Sequence, residues 1–120
     1  MIKGVGTDMV EIERIRKACE KDSFLVRVYT EAERRQVGMD ISRLAGSFAV
    51  KEAVSKVLGT GFRTFLPADI EVLRDEMGKP YVRLYQGAEE RRKEVGIDRI
   101  EVSITDTREY AMAFAVGEGE

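Results

Sequence analysis

The sequence of 120 residues contains no histidine and only one cysteine, Cys19. Without histidine, the chain has no His–Cys zinc site, no serine–histidine triad and no histidine acid–base catalyst. A bound metal ion would therefore have oxygen ligands, which favours magnesium, calcium or manganese. A single cysteine forms no internal disulfide, as is typical of a reducing compartment, so we expect a cytoplasmic protein.

Long apolar runs are also absent. No segment approaches the roughly 20 apolar residues that cross a bilayer, and the opening residues, MIKGVGTDMV, lack the hydrophobic core of a signal peptide. The formal net charge of −2 argues against general binding of nucleic acid. We therefore expect neither a membrane nor a nucleic acid as a partner.

The proportions of hydrophobic residues, 43%, and of charged residues, 35%, are typical of a globular domain. We predict a single domain over residues 1–120. A chain of this size buries only about two-thirds of the surface that its unfolded form exposes. A site for a large cofactor is therefore expected to need walls from a neighbouring subunit.

Hydrophobic periodicity and turn residues predict the order of helices and strands. The predicted strands are 2–9, 69–75, 80–85, 99–105 and 109–116, and the last two form a hairpin. The predicted helices are 11–21, a short one from 30 to 38, 43–58 and 87–95. This order lacks the strict alternation of a parallel α/β fold. It favours a small α+β domain in which an antiparallel sheet packs on helices.

Capping patterns mark where the helices begin. Asp8 with Glu11 three places later resembles a capping box before the first helix, and Thr30 with Glu33 repeats the pattern. Ser42 is the predicted N-cap of the longest helix. On this interpretation Asp8 has a purely structural role.

The longest predicted helix, 43–58, is apolar on nearly all sides, which is typical of an interior helix. Lys51, Glu52 and Lys56 nevertheless project from it on one predicted arc. In the simplest interpretation, Glu52 and Lys56 form a helix-surface ion pair worth only ~0.2–0.5 kcal/mol. Alternatively these charges face a metal or substrate, because charges on a buried helix are costly unless they meet a partner.

Gly59, Thr60 and Gly61 follow this helix. Gly59 is expected to stop the helix. Glycines on either side of a threonine let backbone amides approach a phosphate closely. So short a motif is weak alone, and an ordinary loop remains the alternative.

Four segments resemble the holo-acyl-carrier-protein synthase family: GVGTDMVEIERI, FAVKEAVSKVLGTG, DIEV followed by GKPYV, and VSITDTREYAMAF. They occur in order over nearly the whole chain, and the specific part is G-x-D-x-V-E-I together with F-x-x-K-E-A-x-x-K. The resemblance implies a magnesium-dependent transferase that moves 4′-phosphopantetheine from coenzyme A to a serine of an acyl carrier protein. It also implies a homotrimer with coenzyme A bound between adjacent subunits.

The resemblance assigns roles to single residues. The metal-holding aspartate and glutamate fall on Asp8 and Glu52, and the catalytic lysine falls on Lys56, so these three form the implied catalytic set. Glu52, or a water on the metal, takes the proton from the attacking serine. The residues expected to contact coenzyme A are Arg43, Lys56, Gly59, Thr60, Gly61, Lys79, Pro80 and Thr105.

A basic stripe of Arg14, Lys17 and Lys21 lies on the first predicted helix, with Arg27 just beyond. A solvated basic surface is the simple interpretation. Acyl carrier proteins are acidic, and the family docks them on this helix, so the resemblance implies that these four residues bind the carrier. Complementary charge raises the encounter rate and sets the orientation.

The chain departs from the family pattern at two positions. Ser47 replaces the arginine of A-G-R-F, and Asp106 replaces the histidine of S-I-x-H. In relatives this arginine and histidine are associated with the 3′-phosphate of coenzyme A. Arg43, one turn before Ser47, is our candidate to supply the missing charge.

Two other classes of function remain open from the sequence. A small metal-dependent pyrophosphohydrolase also uses carboxylates on a helix, although such enzymes need more clustered carboxylates than the one pair found here. A non-catalytic module that binds coenzyme A is the second alternative, because Asp106 departs from the family.

Overall fold

The computed structural model describes residues 1–120. In chain order, its elements are β1 (Ile2–Glu11), α1 (Ile12–Ala18), α2 (Asp22–Val28), α3 (Glu31–Val37), α4 (Ile41–Leu58), β2 (Ile70–Arg74), β3 (Pro80–Leu84), α5 (Gln86–Glu94), β4 (Arg99–Asp106) and β5 (Tyr110–Glu118). A single 3-10 turn, Pro67–Asp69, precedes β2. None of the helices combines the length and the apolar character that a bilayer crossing requires.

The strands form two antiparallel sheets rather than one. The larger sheet has the order β1-β5-β4, and β2 pairs only with β3. In the larger sheet, Asp8 lies opposite Ala113 and Thr105 lies opposite Met112. The predicted α+β class and the C-terminal hairpin are therefore confirmed, and β2–β3 is a separate hairpin.

The core lies between α4 and one face of the three-stranded sheet. Ala111, Ala113 and Ala115 alternate along β5 and are at most 1% exposed, and Val50 and Val54 of α4 are completely buried. Small side chains on the strand let the helix backbone lie close to the sheet. The alternating residues of β5 point to the opposite, outer face.

The predicted helix over 11–21 begins within one residue of α1, but its predicted cap and its length are wrong. Asp8 lies inside β1, and the N-cap of α1 is Glu11, whose side chain makes no capping hydrogen bond. Pairing of β1 with β5 continues to Glu11 opposite Tyr110, and this ladder overrides the local capping pattern. The chain then turns after Ala18 into α2, a helix that the sequence analysis missed.

The other predicted caps have mixed outcomes. The capping box of α3 is confirmed, because Thr30 Oγ1 accepts from the Glu33 N–H and the Glu33 carboxylate accepts from the Thr30 N–H. Ser42 is not the cap of α4. Asp40 holds that position, and its Oδ1 accepts from the Arg43 N–H at 3.2 Å.

Candidate functional site

Asp8 of β1 and Glu52 of α4, which are far apart in the sequence, line the same cavity. Its volume is about 290 Å³, and its other lining residues are Met9, Val10, Arg14, Ile15, Ala18, Phe24 and Phe48. Most of the lining residues are apolar, and Asp8 and Glu52 are the only acidic residues among them. The structure therefore brings together the two predicted metal-holding residues within one chain.

Two glycines before Asp8 allow this meeting. A Cβ atom on Gly6 would overlap the backbone carbonyl oxygen of Ala53, and one on Gly4 would lie 2.8 Å from that of Val57. Only glycine at these positions lets β1 lie directly on the backbone of α4. Neither Gly4 nor Gly6 was predicted to have a role, although the alternation of glycines before Asp8 in the sequence is a signal for it.

The pKa values of both carboxylates are raised. Burial raises the pKa of Asp8, and the Lys56 charge and a hydrogen bond from the Met9 backbone oppose this rise in part. Burial also raises the pKa of Glu52, the Asp8 charge raises it further, and Lys56 lowers it. Both ionised groups are therefore held at a cost, which a cation bound between them would relieve.

Lys56 reaches from α4 to β1. Its Nζ donates to the Thr7 backbone oxygen at 2.7 Å and lies 3.9 Å from Asp8 Oδ1. The simple interpretation of a Glu52–Lys56 surface ion pair is therefore wrong, because Lys56 pairs with Asp8 instead. Asp8, Glu52 and Lys56, the implied catalytic set, share one region of the structure.

Lys51 does not share an arc with Glu52 and Lys56, which corrects the prediction. Its side chain is completely buried and its Nζ donates to the Glu33 carboxylate at 2.9 Å. Of these three charges, Lys51 points to the interior, Glu52 lines the cavity and Lys56 lies beside Asp8.

A second arginine lies beside Ser47, and the sequence analysis missed it. Arg74, at the end of β2, donates from Nη1 to Ser47 Oγ at 3.2 Å and from Nη2 to the Arg43 backbone oxygen at 3.4 Å. Arg43 itself turns towards Asp40, with Nε 3.6 Å from Oδ2. No local pattern signals Arg74, because it reaches Ser47 only through the packing of β2 against α4.

Arg74 carries a charge without a carboxylate partner. Burial lowers the pKa of Arg74, the Arg43 charge lowers it further, and Asp40 and Glu33 oppose both effects from a distance. A guanidinium without a carboxylate partner, beside a serine hydroxyl, attracts an anion.

The loop after α4 uses its amides internally. Gly59 ends the helix in the left-handed conformation, with φ of 80°. The Gly59 N–H donates to the Ser55 and Lys56 carbonyls, and the Gly61 N–H donates to the Ser55 carbonyl. Two of the amides that were expected to approach a phosphate are thus already engaged at the end of the helix.

Positive charge beside this loop comes from a side chain instead. Arg91 of α5 donates from Nε to the Leu58 backbone oxygen at 2.9 Å. It also lines a cavity of about 230 Å³ together with Thr60, Thr64, Gly87, Glu90 and Glu94. Arg91 therefore stabilises the carbonyl end of α4.

The remaining residues expected to contact coenzyme A do not line the Asp8–Glu52 cavity. Lys79 lies in the turn before β3, with Nζ 3.9 Å from Glu101 Oε2, and Pro80 begins β3. Thr105 lies in β4 on the outer face of the three-stranded sheet, beside Met112. One chain alone does not gather the whole predicted set.

The basic residues of α1 and α2 form a continuous surface with the cavity. Lys17, Lys21 and Arg27 line a groove of about 500 Å³, whose other residues are Ala18, Ser23 and Phe24. Arg14 lines the Asp8–Glu52 cavity, and Ala18 and Phe24 border both spaces. The four predicted carrier-binding residues therefore line a surface that is continuous with the cavity of Asp8 and Glu52.

The outer face of the three-stranded sheet exposes large apolar side chains. They are Val5 and Met9 of β1 and Tyr110, Met112 and Phe114 of β5. Their strands are paired with one another, so these side chains form one apolar face.

The two carboxylates fit a magnesium ion that also binds a substrate. No group of three or more acidic, histidine or cysteine side chains is present to hold a metal by protein ligands alone. Magnesium retains several water molecules and commonly binds through one or two carboxylates together with substrate phosphates. The Asp8–Glu52 pair matches this pattern.

Comparison with known proteins identifies the family along nearly the whole chain. The model of the 4′-phosphopantetheinyl transferase superfamily matches residues 4–115. A holo-[acyl-carrier-protein] synthase of Lachnoclostridium phytofermentans is 55% identical over 118 residues, covering 98% of this chain and 97% of that protein.

Two solved structures superpose closely. The acyl carrier protein synthase of Plasmodium yoelii with ADP bound has a TM-score of 0.90 and 32% identity, covering 100% of this chain and 97% of that one. The Helicobacter pylori holo-[acyl-carrier-protein] synthase in complex with coenzyme A has a TM-score of 0.85 and 30% identity, covering 95% and 99%. With the family motifs meeting in one cavity and the match running from end to end, the chain belongs to the 4′-phosphopantetheinyl transferase superfamily.

Proposed function

We propose that this chain is a holo-[acyl-carrier-protein] synthase. It transfers 4′-phosphopantetheine from coenzyme A to a serine of apo acyl carrier protein and releases adenosine 3′,5′-bisphosphate. One observation carries the proposal: Asp8 and Glu52 of the family motifs line one cavity. A holo-[acyl-carrier-protein] synthase that is 55% identical supports the choice of reaction.

The reaction exchanges one phosphorus–oxygen bond for another. The serine oxygen of the carrier attacks the phosphorus that bears pantetheine, and the bond from this phosphorus to the bridging oxygen breaks. The bridging oxygen leaves with the electron pair as part of adenosine 3′,5′-bisphosphate. The serine proton passes to a base, for which we propose the Glu52 carboxylate, because it lines the cavity into which the serine is delivered.

Mg²⁺ is the proposed cofactor, and Asp8 and Glu52 are its proposed protein ligands. When bound, the ion neutralises charge on the pyrophosphate and orients it. Lys56 is held beside Asp8 by its hydrogen bond to the Thr7 carbonyl. From this position its ammonium group offsets the negative charge that develops on the departing nucleotide.

Coenzyme A contacts are proposed for Arg43, Lys56, Gly59, Thr60, Gly61, Lys79, Pro80 and Thr105. We add Arg74 to this set, because its guanidinium lies beside Ser47 with no carboxylate partner. The Thr60 hydroxyl donates to the Gly61 carbonyl at 3.0 Å, and the amides of Gly59 and Gly61 are engaged as well. The backbone N–H of Thr60 is therefore the proposed donor of this loop.

A homotrimer is the proposed assembly. Burying the apolar outer face of the three-stranded sheet against another copy removes large hydrophobic side chains from water. Met9 belongs to this face and directly follows Asp8 in β1. An interface there places the neighbour beside the carboxylates, where it supplies the coenzyme A contacts that one chain does not gather.

The carrier protein is proposed to dock on Arg14, Lys17, Lys21 and Arg27. These residues form a basic surface leading to Asp8 and Glu52 through Ala18 and Phe24. A carrier docked there delivers its serine into the cavity. We place the reaction in the cytoplasm.

Mass spectrometry of the carrier protein tests the proposal. Apo carrier protein is incubated with coenzyme A and magnesium chloride, and we expect it to gain one phosphopantetheine. A carrier whose serine is replaced by alanine is the matched control and gains no mass. Cleavage of coenzyme A without a carrier would instead indicate a hydrolase, and an unmodified carrier with intact coenzyme A would indicate a binding module.

A further inference from the structure

Lys51 is a charged side chain with no access to solvent, on the helix that carries Glu52. Its Nζ donates to Ile70 O at 2.6 Å, Glu33 Oε1 at 2.9 Å and Pro67 O at 3.2 Å. These acceptors use all three N–H groups of the ammonium. The side chain therefore connects α4 to α3 and to the start of β2.

Glu33 is equally buried, with 1% of its side chain exposed. Besides Lys51, its carboxylate accepts from the Thr30 N–H at 2.8 Å and from the Val72 N–H at 3.1 Å. Val72 belongs to β2, so the carboxylate also connects two elements. The Lys51–Glu33 pair joins α3, α4 and β2 at one point.

The burial of apolar side chains does little to fix how α4 is rotated about its own axis. Its buried apolar residues occupy almost every direction around the helix: Leu44, Ala45, Ala49, Val50, Ala53, Val54, Val57 and Leu58. A helix of this kind buries similar apolar area after a modest rotation. A hydrogen-bonded ammonium, in contrast, loses its acceptors when the helix turns, and a buried charge without partners is strongly disfavoured.

The rotation of α4 matters for the site on its other side. Successive helical residues point about 100° apart, so the angle at which Lys51 enters the interior sets the direction in which Glu52 leaves the helix. The start of β2 is held at the same point, and β2 carries Arg74, which contacts Ser47 of α4. The Lys51–Glu33 contact therefore affects both the direction of Glu52 and the position of Arg74 beside Ser47.

We propose that the buried Lys51–Glu33 pair is a positioning device, which fixes the rotation of α4 so that Glu52 faces Asp8 and Ser47 faces Arg74. The proposal rests on the proposed function of this cavity. Neither Lys51 nor Glu33 touches the substrate, and both act through the residues that they orient. Replacing a buried ion pair by uncharged groups is often neutral for stability, so orientation and stability can be separated experimentally.

The test compares the double variant Lys51→Met/Glu33→Gln with Val54→Ala. The double variant removes both charges while keeping the side-chain lengths. Val54→Ala is the control for a simple packing defect, because Val54 is completely buried in the same helix and belongs to neither the pair nor the cavity. For each protein we measure the urea midpoint, kcat, and KM for the carrier protein.

A positioning role predicts that kcat does not follow stability: the double variant loses kcat although it unfolds at no lower urea concentration than Val54→Ala. We expect the double variant to lose at least about tenfold in kcat, because small misplacements of reacting groups cost up to about 100-fold. Its KM for the carrier should stay within about threefold, and Val54→Ala should keep kcat within about twofold. A crystal structure of the double variant should show α4 rotated about its axis.

Equal kcat in the double variant and the native protein would overturn the proposal. A loss of kcat in proportion to the loss of stability, in the double variant and in Val54→Ala alike, would also overturn it. If the double variant does not fold, Lys51→Gln/Glu33→Gln provides the test. It also removes both charges, but the amide at position 51 keeps a donor for the buried carbonyls of Pro67 and Ile70, and kcat should fall at least about threefold at unchanged KM. Failure of the native protein to modify the carrier would refute the proposed function instead, which keeps the two failures distinct.

Discussion

Arg74 and Ser47 are joined by a hydrogen bond of 3.2 Å from Nη1 to Oγ, although they belong to different elements of the fold. Ser47 stands where the family pattern has an arginine. The structure thus provides a guanidinium at this place from β2 instead of from α4. Our sequence-based candidate for this compensation was Arg43, which turns to Asp40.

We predict that Arg74→Ala weakens the use of coenzyme A more than Arg43→Ala does. A hydrogen bond to a charged group is worth about 1.5–3 kcal/mol, so kcat/KM for coenzyme A should fall about 10- to 100-fold. The loss should be smaller with dephospho-coenzyme A, which lacks the 3′-phosphate. Arg35→Ala is the control, because this exposed arginine pairs with Glu31. An equal loss for both donors would contradict a role at the 3′-phosphate.

Alanine at Asp8 or Glu52 is expected to abolish metal-dependent turnover. Both residues are predicted metal ligands, and both line the cavity without contributing to the apolar core. Circular dichroism should show a native fold in each variant, and kcat should fall at least about 100-fold. Near-normal turnover of Glu52→Ala would refute the metal assignment.

Mixed subunits should distinguish residues of one chain from those of its neighbour. Asp8 and Glu52 share a cavity within one chain, so mixing Asp8→Ala with Glu52→Ala should restore no activity. Thr105 lies on the outer sheet face, away from this cavity. Mixing Glu52→Ala with Thr105→Glu should therefore restore partial activity, because some sites combine a native Glu52 with a neighbour's native Thr105. Sedimentation as a monomer at micromolar concentration would contradict the trimer.

Reversing the charge of Arg14 should weaken carrier binding. Arg14 lies where the basic surface meets the cavity, so Arg14→Glu should raise KM for the carrier protein about tenfold while KM for coenzyme A changes little. The effect should be larger at low salt, where exposed charges are least screened. Arg16→Glu is the matched control, since Arg16 lies on the same helix and lines neither cavity nor groove. A selective loss of coenzyme A affinity would argue against carrier recognition.

Glu52 is expected to reduce the stability of the metal-free protein. Burial and the Asp8 charge raise the pKa of Glu52, so the folded state keeps a proton that the unfolded chain has released. Stability therefore falls as the pH rises through this window. In EDTA at pH 7.5, Glu52→Gln should raise the unfolding midpoint by about 2 °C.

The pH dependence of the unfolding midpoint shows whether the charge of Glu52 causes this gain. The gain from Glu52→Gln should vanish as the pH falls below 4.5, the ordinary pKa of glutamate, because both states are then protonated. Glu20→Gln, an exposed position, should show no gain at either pH. A gain that persists in acid would assign the effect to packing rather than to charge.

The sequence by itself determined the family and some of the local features. The Thr30–Glu33 capping box, the end of α4 at Gly59 and the C-terminal hairpin depend on neighbouring residues, and all three are confirmed. The family match is similarly carried by residue identity along the chain.

Only the tertiary structure decided which distant residues meet. Strand pairing placed Asp8 inside β1 rather than at a helix cap, and packing brought Lys56 to Asp8, Lys51 to Glu33 and Arg74 to Ser47. Each of these contacts joins elements separated in the chain, so no local propensity records it. The direction of a charge on α4 depends on how the helix is rotated in its surroundings, and a helix buried on nearly all sides does not encode that rotation in its own hydrophobic pattern.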